Sequence, residues 1–585
     1  MKEMHAYSGG NKFGQGMHDH VTLVNGEKYV GFGLQIPDVD AGRNWLVCLD
    51  FQPVHDGSTS EATATALCKT TLLKTGFKYT DTAFDTIADG AALKVAELVG
   101  HLRRICEMHD GDKVGRSCCG DLVRRRRGQV QNGFVNGSEL MAAAQKVAVH
   151  FSYGERRNKL KEVGAALPKG APDIKPQSGM STTRIAARRN MLRSLLRLKK
   201  AIVSYCGARP DVPSLGGSDA GGAWDQLRDV EAVLALVSVY TTVVQTEQFF
   251  MRAIAVVAKV RFLQSLQKDT ISVLDSDNID ADNTDTRVDI QVSGMTPIGK
   301  VCLQRAQLEA ERRFCGNEGT ELTDIVGTTK PIIHEYDRVA LLLDPRTFHW
   351  AVVGNNKFFD RASYDSLVDV LEGVYVRFAV KYAEFKRDAA EDAETAGDVA
   401  DGNANAADIA SEDSIFAEAI DPEAELGPQD NEARDATFCQ EFRQAWRYWL
   451  GKMKNLDWRT LWPDHGIDTP HPDPLKLREA PVHKILAEMR GHPELYGLLP
   501  IIATHSEVGI GCLAAASYCE RINSQGNNLI KQDNTQLREQ LISGIVSLRM
   551  NRELFDFFRE HFKALTYDEV MKAAQAPVAA QAPVA

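Results

Sequence analysis

No apolar run in the 585 residues approaches the ~18 that a membrane-spanning helix needs, so no membrane segment is expected. The eleven cysteines repeat at no short spacing. That excludes a readable disulfide framework or paired Cys-x-x-Cys knuckles, and adjacent Cys118 and Cys119 are no ordinary chelating pair. The opening Met1-Lys2-Glu3-Met4-His5 has no signal-peptide core. Together these absences predict a soluble intracellular chain with reduced, mostly buried thiols. Positive charge is also short: a net of −11 argues at first against a polyanionic partner. The deficit is local, however. Residues 388–435 hold sixteen Asp and Glu against one basic residue, Arg434, a balance of −15 that leaves the rest of the chain at +4.

What is present reads as several units, because a chain of this length exceeds a single core. Residues 1–16 lack periodicity and are expected to be mobile. Strand character follows at Val21–Val24, Tyr29–Ile36 and Trp45–Phe51, with a hairpin signal at Asn25-Gly26. Ser60–Leu73 has helical period, Phe77–Asp89 reads as a strand ending in acid, and Ala91–Val99 as a helix. Three antiparallel strands, helix, strand, helix is the order of half an RNase-H-like core. The expected fold class is therefore an α/β RNase-H-like core interrupted by a large, mostly α-helical insertion domain. The core occupies residues 17–105 and 501–563, and the insertion 106–387 and 436–500.

Within the insertion, Trp224–Gln267 is apolar nearly all round, as an interior helix is. Residues 268–294, dominated by Asp and Asn, read as a polar loop, and helices resume at Pro297–Phe314, Ile332–Leu343 and Tyr364–Arg387. Leu343-Asp344-Pro345-Arg346 ends a helix and leaves Arg346 to pair with a carboxylate, a structural role. Residues 388–435, with Phe416 as their one aromatic, are expected to be a disordered linker, and 564–585 a disordered tail. Trp446, Trp449, Trp458 and Trp462 are either a packing core or, where exposed, a platform for an extruded base.

Basic residues concentrate at Arg124, Arg125, Arg126 and Arg127 and along Arg189, Arg193, Arg197 and Lys200. The second set lies on one helical face, either solvated or laid against phosphates. Near the C-terminus, Val508, Cys512, Ala515, Cys519 and Ile522 recur at helical spacing as a small-residue face, with Glu520 at its margin. Farther on, Leu541, Ile545, Leu548, Phe555, Phe558 and Phe562 fall on one apolar face.

Ser517-x-x-Glu520-Arg521, then Thr535-Gln536-Leu537, then Leu548-Arg549-Met550-Asn551 resembles the C-terminal signature of the hAT superfamily of DNA transposases. Asp19, ten residues before Tyr29-Val30-Gly31, and Asp89 fall where that family carries its first two catalytic acids. Cys106-Glu107-Met108-His109 resembles its Cys-x-x-His element, and Leu343–Arg346 its Leu-Asp-Pro-Arg box. The resemblance implies that Asp19, Asp89 and Glu520 hold Mg²⁺ (or Mn²⁺) for strand cleavage and transfer. It further implies DNA as partner, a nuclear location, and a homodimer or higher homo-oligomer built on Leu541, Ile545, Leu548, Phe555 and Phe558. Arg521, Cys106 and His109 flank the site. For Cys106 and His109, two readings stand: a buried pair fixing a loop, or a histidine touching the scissile phosphate or a flipped base. Two departures are visible. Lys12–His18 makes a poor first strand, and no zinc-binding BED finger precedes it. Either departure fits a domesticated, catalytically silent, dimeric DNA-binding or scaffold protein.

Overall fold

Residues 14–22 carry two glycines, two histidines, a glutamine and an aspartate, yet they form strand β1 (Gly14–Thr22) at the centre of the main sheet. The computed structural model describes residues 1–23, 26–54, 59–89, 94–99, 102–120, 124–126, 129–131, 133–178, 185–209, 211–215, 222–315, 335–348, 361–397, 428–463, 475–492, 497–530 and 539–561. β1 works because its neighbours crowd it. A Cβ on Gly16 would stand 1.6 Å from the Tyr79 hydroxyl, and one on Gly14 would meet the Gln35 carbonyl at 2.8 Å. The glycines that spoil local strand propensity are thus required by packing.

Residues 1–16 are accordingly structured, against expectation. Helix α1 (Lys2–Tyr7) leads into buried Ser8 to Asn11. There Gly9 and Gly10, both with positive φ, lie under the rings of Tyr382 and Phe385. Strands β2 (Lys28–Asp38) and β3 (Arg43–Pro53) complete the antiparallel meander. Helices α2 (Ser60–Thr75) and α3 (Tyr79–Thr82) lead into β4 (Ala83–Ala88), so the strand expected from Phe77 starts six residues later, after a helical turn. Helix α4 (Lys94–Leu98) then precedes β5 (Leu102–Ile105). The mixed sheet runs β3-β2-β1-β4-β5, with β1, β4 and β5 parallel.

Helix α5 (Glu107–Cys118) follows directly. A small ladder, β6 (Arg124–Arg126) with β7 (Gln129–Gln131), precedes α6 (Val135–Phe151), α7 (Gly154–Ala165), α8 (Ile185–Arg197) and α9 (Lys199–Gly207). The expected interior helix is two, α10 (Ala223–Val244) and α11 (Arg252–Leu266). Residues 268–294 are not merely a loop, for β8 (Thr270–Leu274) pairs with β9 (Arg287–Gln291). Helix α12 (Pro297–Phe314) has the predicted bounds, with Thr296 capping Gly299 N–H and proline in the first turn.

After α13 (Glu335–Leu343) and α14 (Pro345–Phe348), α15 (Arg361–Gly397) runs well into the expected linker, and α16 (Pro428–Lys454) starts before that linker's predicted end. Ala, Glu and Lys are good helix formers, so acidity alone did not stop either helix. Helices α17 (Trp458–Leu461), α18 (Val482–Arg490), α19 (Leu498–Ile510), α20 (Ser517–Leu529), α21 (Glu539–Met550) and α22 (Arg552–His561) close the chain. Trp446, Trp449 and Trp458 are buried in the apolar core of the later helices, with Trp462 packed on it. Arg346 is buried on Asp344 at 2.6 Å and donates to the Phe250 and Arg478 carbonyls, as its structural reading predicts. No helix among the described residues is long and apolar enough to cross a membrane.

The sheet's two faces are dressed differently. Phe32, Leu34, Leu67 and Tyr79 pack on one side, beneath α2 to α4. On the other, α20 descends onto β2, where a Cβ on Gly31 would meet Ile522 at 3.0 Å and one on Gly33 would meet Tyr518 at 3.1 Å. The small-residue face expected from Val508 to Ile522 is buried throughout, but it spans α19, a non-helical turn at 511–516, and α20 rather than one helix.

Candidate functional site

Parallel pairing of β1 with β4 matches Met17 to Ile87. That pairing ends two residues short of both acids, and Asp89, just past the end of β4, is near enough for its charge to act on Asp19. Helix α20 crosses this face. Asn523 donates its Nδ2 to Asp19 Oδ2 at 2.9 Å, and Glu520 lies one turn earlier on the helix. Helix α5 arrives from the side because Cys106 N–H continues the β5–β4 ladder to the Ala88 carbonyl. Its second pin is Glu107 N–H on the Ala514 carbonyl, at 3.1 Å. The Cys106 thiol accepts the Ala516 N–H at 3.2 Å, just before α20. Four elements distant in sequence therefore converge on one polar spot.

Each carboxylate there has a partner from the chain. His109 Nε2 lies 3.0 Å from Glu520 Oε1, and Lys113 Nζ donates to Asp89 Oδ1 at 3.2 Å while also pairing with Asp110 at 3.7 Å. Burial pushes Asp19 up to about 6; His109 opposes that shift, and the charges of Glu520 and Asp89 reinforce it. For His109, burial favours the neutral ring, but the Cys106 thiol and Glu520 outweigh it and raise the imidazole to about 11. Asp19 thus feels the charge of both other predicted acids, and the site's imidazolium is held beside Glu520.

Two other acids shortly before Asp89 in the sequence lie elsewhere. Asp81 is exposed on α3. Asp85 is buried in an ionic lattice with Arg252 at 2.5 Å and Arg104 at 3.4 Å, and Asp337 completes it from 2.9 Å off Arg104. Gln15 donates to Asp85 at 2.6 Å and also exchanges both hydrogen bonds with the Leu513 backbone.

Among the described residues no group of three or more His, Cys, Asp or Glu side chains is set as a metal cage. The donor chemistry still suits a hard divalent cation: three carboxylates on converging elements, one of them raised first by burial and then by its neighbours' charge. The acids that would have to close on such an ion are Asp19, Asp89 and Glu520, each first released from Asn523, Lys113 and His109 in turn.

The basic stripe is spent inside the protein. The helix breaks at Leu198, so Lys200 belongs to α9, and it donates to the Ile279 carbonyl at 3.0 Å. Arg189 reaches buried Glu231 at 3.2 Å, Arg193 pairs with Asp285, and burial together with Arg193 lowers the pKa of Arg197. The Asp-rich β8–β9 turn supplies the partners of Arg193 and Lys200. Arg124, Arg125 and Arg126 form β6, whose side chains lie outside the described residues, as does Arg127 entirely.

Thr535-Gln536-Leu537 is likewise outside, whereas Asn551 of the last motif clamps β3 by accepting from Cys48 N–H and donating to its carbonyl at 2.8 and 2.9 Å. On α21 the buried residues are Ile542 and Val546. Leu541 and Leu548 are 50% and 60% exposed, Phe555 is exposed and Ile545 half-buried. The Phe558 side chain and Phe562 are outside the described residues.

Sequence reasoning missed Lys113 and Asn523. Both were within reach, one turn beyond His109 on α5 and one turn beyond Glu520 on α20. A scan of the chain against protein-family models finds no match, and a search among curated proteins finds none either.

Proposed function

We propose that the chain is a hAT-like transposase or a derivative of one, with an RNase-H-like core interrupted by the helical segment and with Asp19, Asp89 and Glu520 as its metal-holding acids. The observation that carries this reading is the convergence of those acids, up to 501 positions apart, at one polar spot where burial and then the charges of Glu520 and Asp89 raise Asp19. The strand order β3-β2-β1-β4-β5, with an acid on the central strand and another just past its parallel neighbour, supports the core assignment.

In this reading a divalent cation such as Mg²⁺ supplies positive charge to the attacking and leaving oxygens of a phosphodiester. The chain's own contribution is positional. Asn523 orients Asp19, Lys113 holds Asp89, and His109 keeps a proton at Nε2 against Glu520. DNA strand cleavage and transfer is the reaction, and the exposed Leu541, Leu548 and Phe555 supply a surface for a second copy. Mg²⁺-dependent nicking of short duplexes by the wild type, lost in Glu520→Ala, is the expected result.

The pairing of every acid with a partner from the chain favours a second reading, a silent dimeric DNA-binding or scaffold descendant. Salt-sensitive DNA binding without nicking by either protein would select it.

A further inference from the structure

Most cations around the three acids are committed to partners within the fold. Lys113 bridges Asp89 and Asp110, His109 is held against Glu520, and Lys259 is buried on Glu107 at 2.6 Å. Arg521 differs. It follows Glu520 on α20, its side chain is 56% exposed, and its guanidinium lies 5.2 Å over the Tyr518 ring while pairing with Glu247.

Glu247 belongs to the 245–251 connection between α10 and α11, and that connection does not need Arg521 to hold it. Asn44 donates to the Glu247 and Phe249 carbonyls at 3.3 and 2.9 Å, and Asn44 N–H reaches the Gln248 carbonyl at 2.9 Å. Arg43 bridges to Phe249, and Ser517 Oγ donates to the Gln245 carbonyl. Arg521 is half-exposed while Glu247 is nearly buried, so solvent screens the pair from the arginine side only. The pair thus holds a solvent-facing planar cation beside a site whose surplus charge is negative. A guanidinium matches two phosphate oxygens in a fork, and its stacking on Tyr518 pre-orients it.

We propose that Arg521 is the phosphate-docking residue of this site: it leaves Glu247 for a non-bridging oxygen of a nucleic-acid phosphodiester beside Glu520, and Glu247 sets how readily it leaves. The inference rests on the DNA reading above, and its test separates the two.

Duplex binding by the full chain, followed by fluorescence anisotropy across a salt series with Ca²⁺ in place of Mg²⁺, compares wild type with Arg521→Gln, Arg521→Lys, Glu247→Gln and the Arg521→Gln/Glu247→Gln double variant. Arg521→Gln should bind about 5–10-fold more weakly, with a salt slope shallower by about one. Arg521→Lys should fall between it and wild type. Glu247→Gln should bind a few-fold more tightly, and that gain should vanish in the double variant. Thermal melting identifies any variant that fails to fold, and the remaining three still carry the test. If Arg521→Gln and Glu247→Gln shift affinity in the same direction, or if the Glu247→Gln gain survives without Arg521, the docking role is wrong while the DNA reading stands. If the wild type shows no salt-dependent DNA binding, both fall.

Discussion

Asp85 on β4 and Asp89 just past its end stand four residues apart, yet their surroundings are opposite. Asp85 is buried, with two arginines and a glutamine on its oxygens. Asp89 is a third exposed, acts by its charge on another aspartate, and has a lysine that it shares with Asp110. Where cations match the carboxylates, the group holds the fold together. Where carboxylates outnumber them, the arrangement costs stability, and that is how a binding site for a cation is built. The lattice at Asp85 also joins β1, β4, β5, α11 and α13, so it fixes the frame from which the acids beyond it project.

The sharpest way to break this contrast is to remove one acid from each side. Glu520→Gln and Asp19→Asn should each lower Mg²⁺-dependent nicking on the order of 10⁴-fold, about 5 kcal/mol of barrier, because the remaining acids cannot hold the ions alone. The melting temperature of Asp19→Asn should stay level or rise, since like charges have been thinned, while Glu520→Gln gives up its pairing with His109 and should fall slightly. A fall in nicking accompanied by equal loss of stability would make these acids structural. Asp85→Ala is the mirror experiment. It strands two buried arginines and should cost about 3–5 kcal/mol in chemical denaturation. A loss under 1 kcal/mol would mean that the lattice is not what holds the sheet to the helices.

The lattice side also predicts a pH signature. His505 is fully buried among Tyr375, Phe378 and Phe84; burial first, then Arg252 and Arg377, lowers its imidazole to about 4. Its folded value lies below the ordinary 6.5, so between those pH values the unfolded chain binds the proton and the native one does not. Stability supplied by the neutral ring is complete above pH 6.5 and drains away as pH falls towards 4, by up to about 3 kcal/mol. Glu507, on the same helix and buried with Tyr7 and Arg490 nearby, is raised to about 9 by burial, so its own contribution runs the other way, declining as pH rises from 4.5. Comparing wild type with His505→Gln cancels the Glu507 part. The difference between the two stabilities should shrink across pH 6.5 to 4, and a constant difference would show that the ring titrates freely.

How much of this was legible in the chain depends on the range of the cause. Glu520, Asp89 and Asp19 could be named from motif and spacing, and α12 carried its bounds in Thr296 and Pro297. β1 could not be read because its reason is remote: Gly16 answers to Tyr79, and Gln15 to Asp85 and to Leu513, 498 positions away. The same holds for the apolar face of α21. Leu541, Ile542, Ile545, Val546 and Leu548 offer two overlapping stripes, and only contact with β3 chooses Ile542 and Val546 for burial. The 511–516 turn was hidden because buried alanines at helical spacing look the same whether or not the backbone between them is helical.

The mildest test concerns charge that has already been answered. Arg193 and Asp285 form a half-exposed pair between α8 and the β8–β9 turn, and Lys199 and Lys200 are tied to the same turn through Asp277 and the Ile279 carbonyl. For phosphates to take these side chains, the turn's own acids must first be displaced, and the local field offers no gain for doing so. Arg193→Ala should therefore cost less than about 1 kcal/mol of stability, as exposed pairs do, and leave both the affinity for duplex DNA and its salt slope where they were. A slope that drops by about one would mean that the stripe sheds the turn and meets DNA directly. The division between answered and unanswered charge would then have to be redrawn for the basic residues, while the contrast between Asp85 and Asp89 stayed as it is.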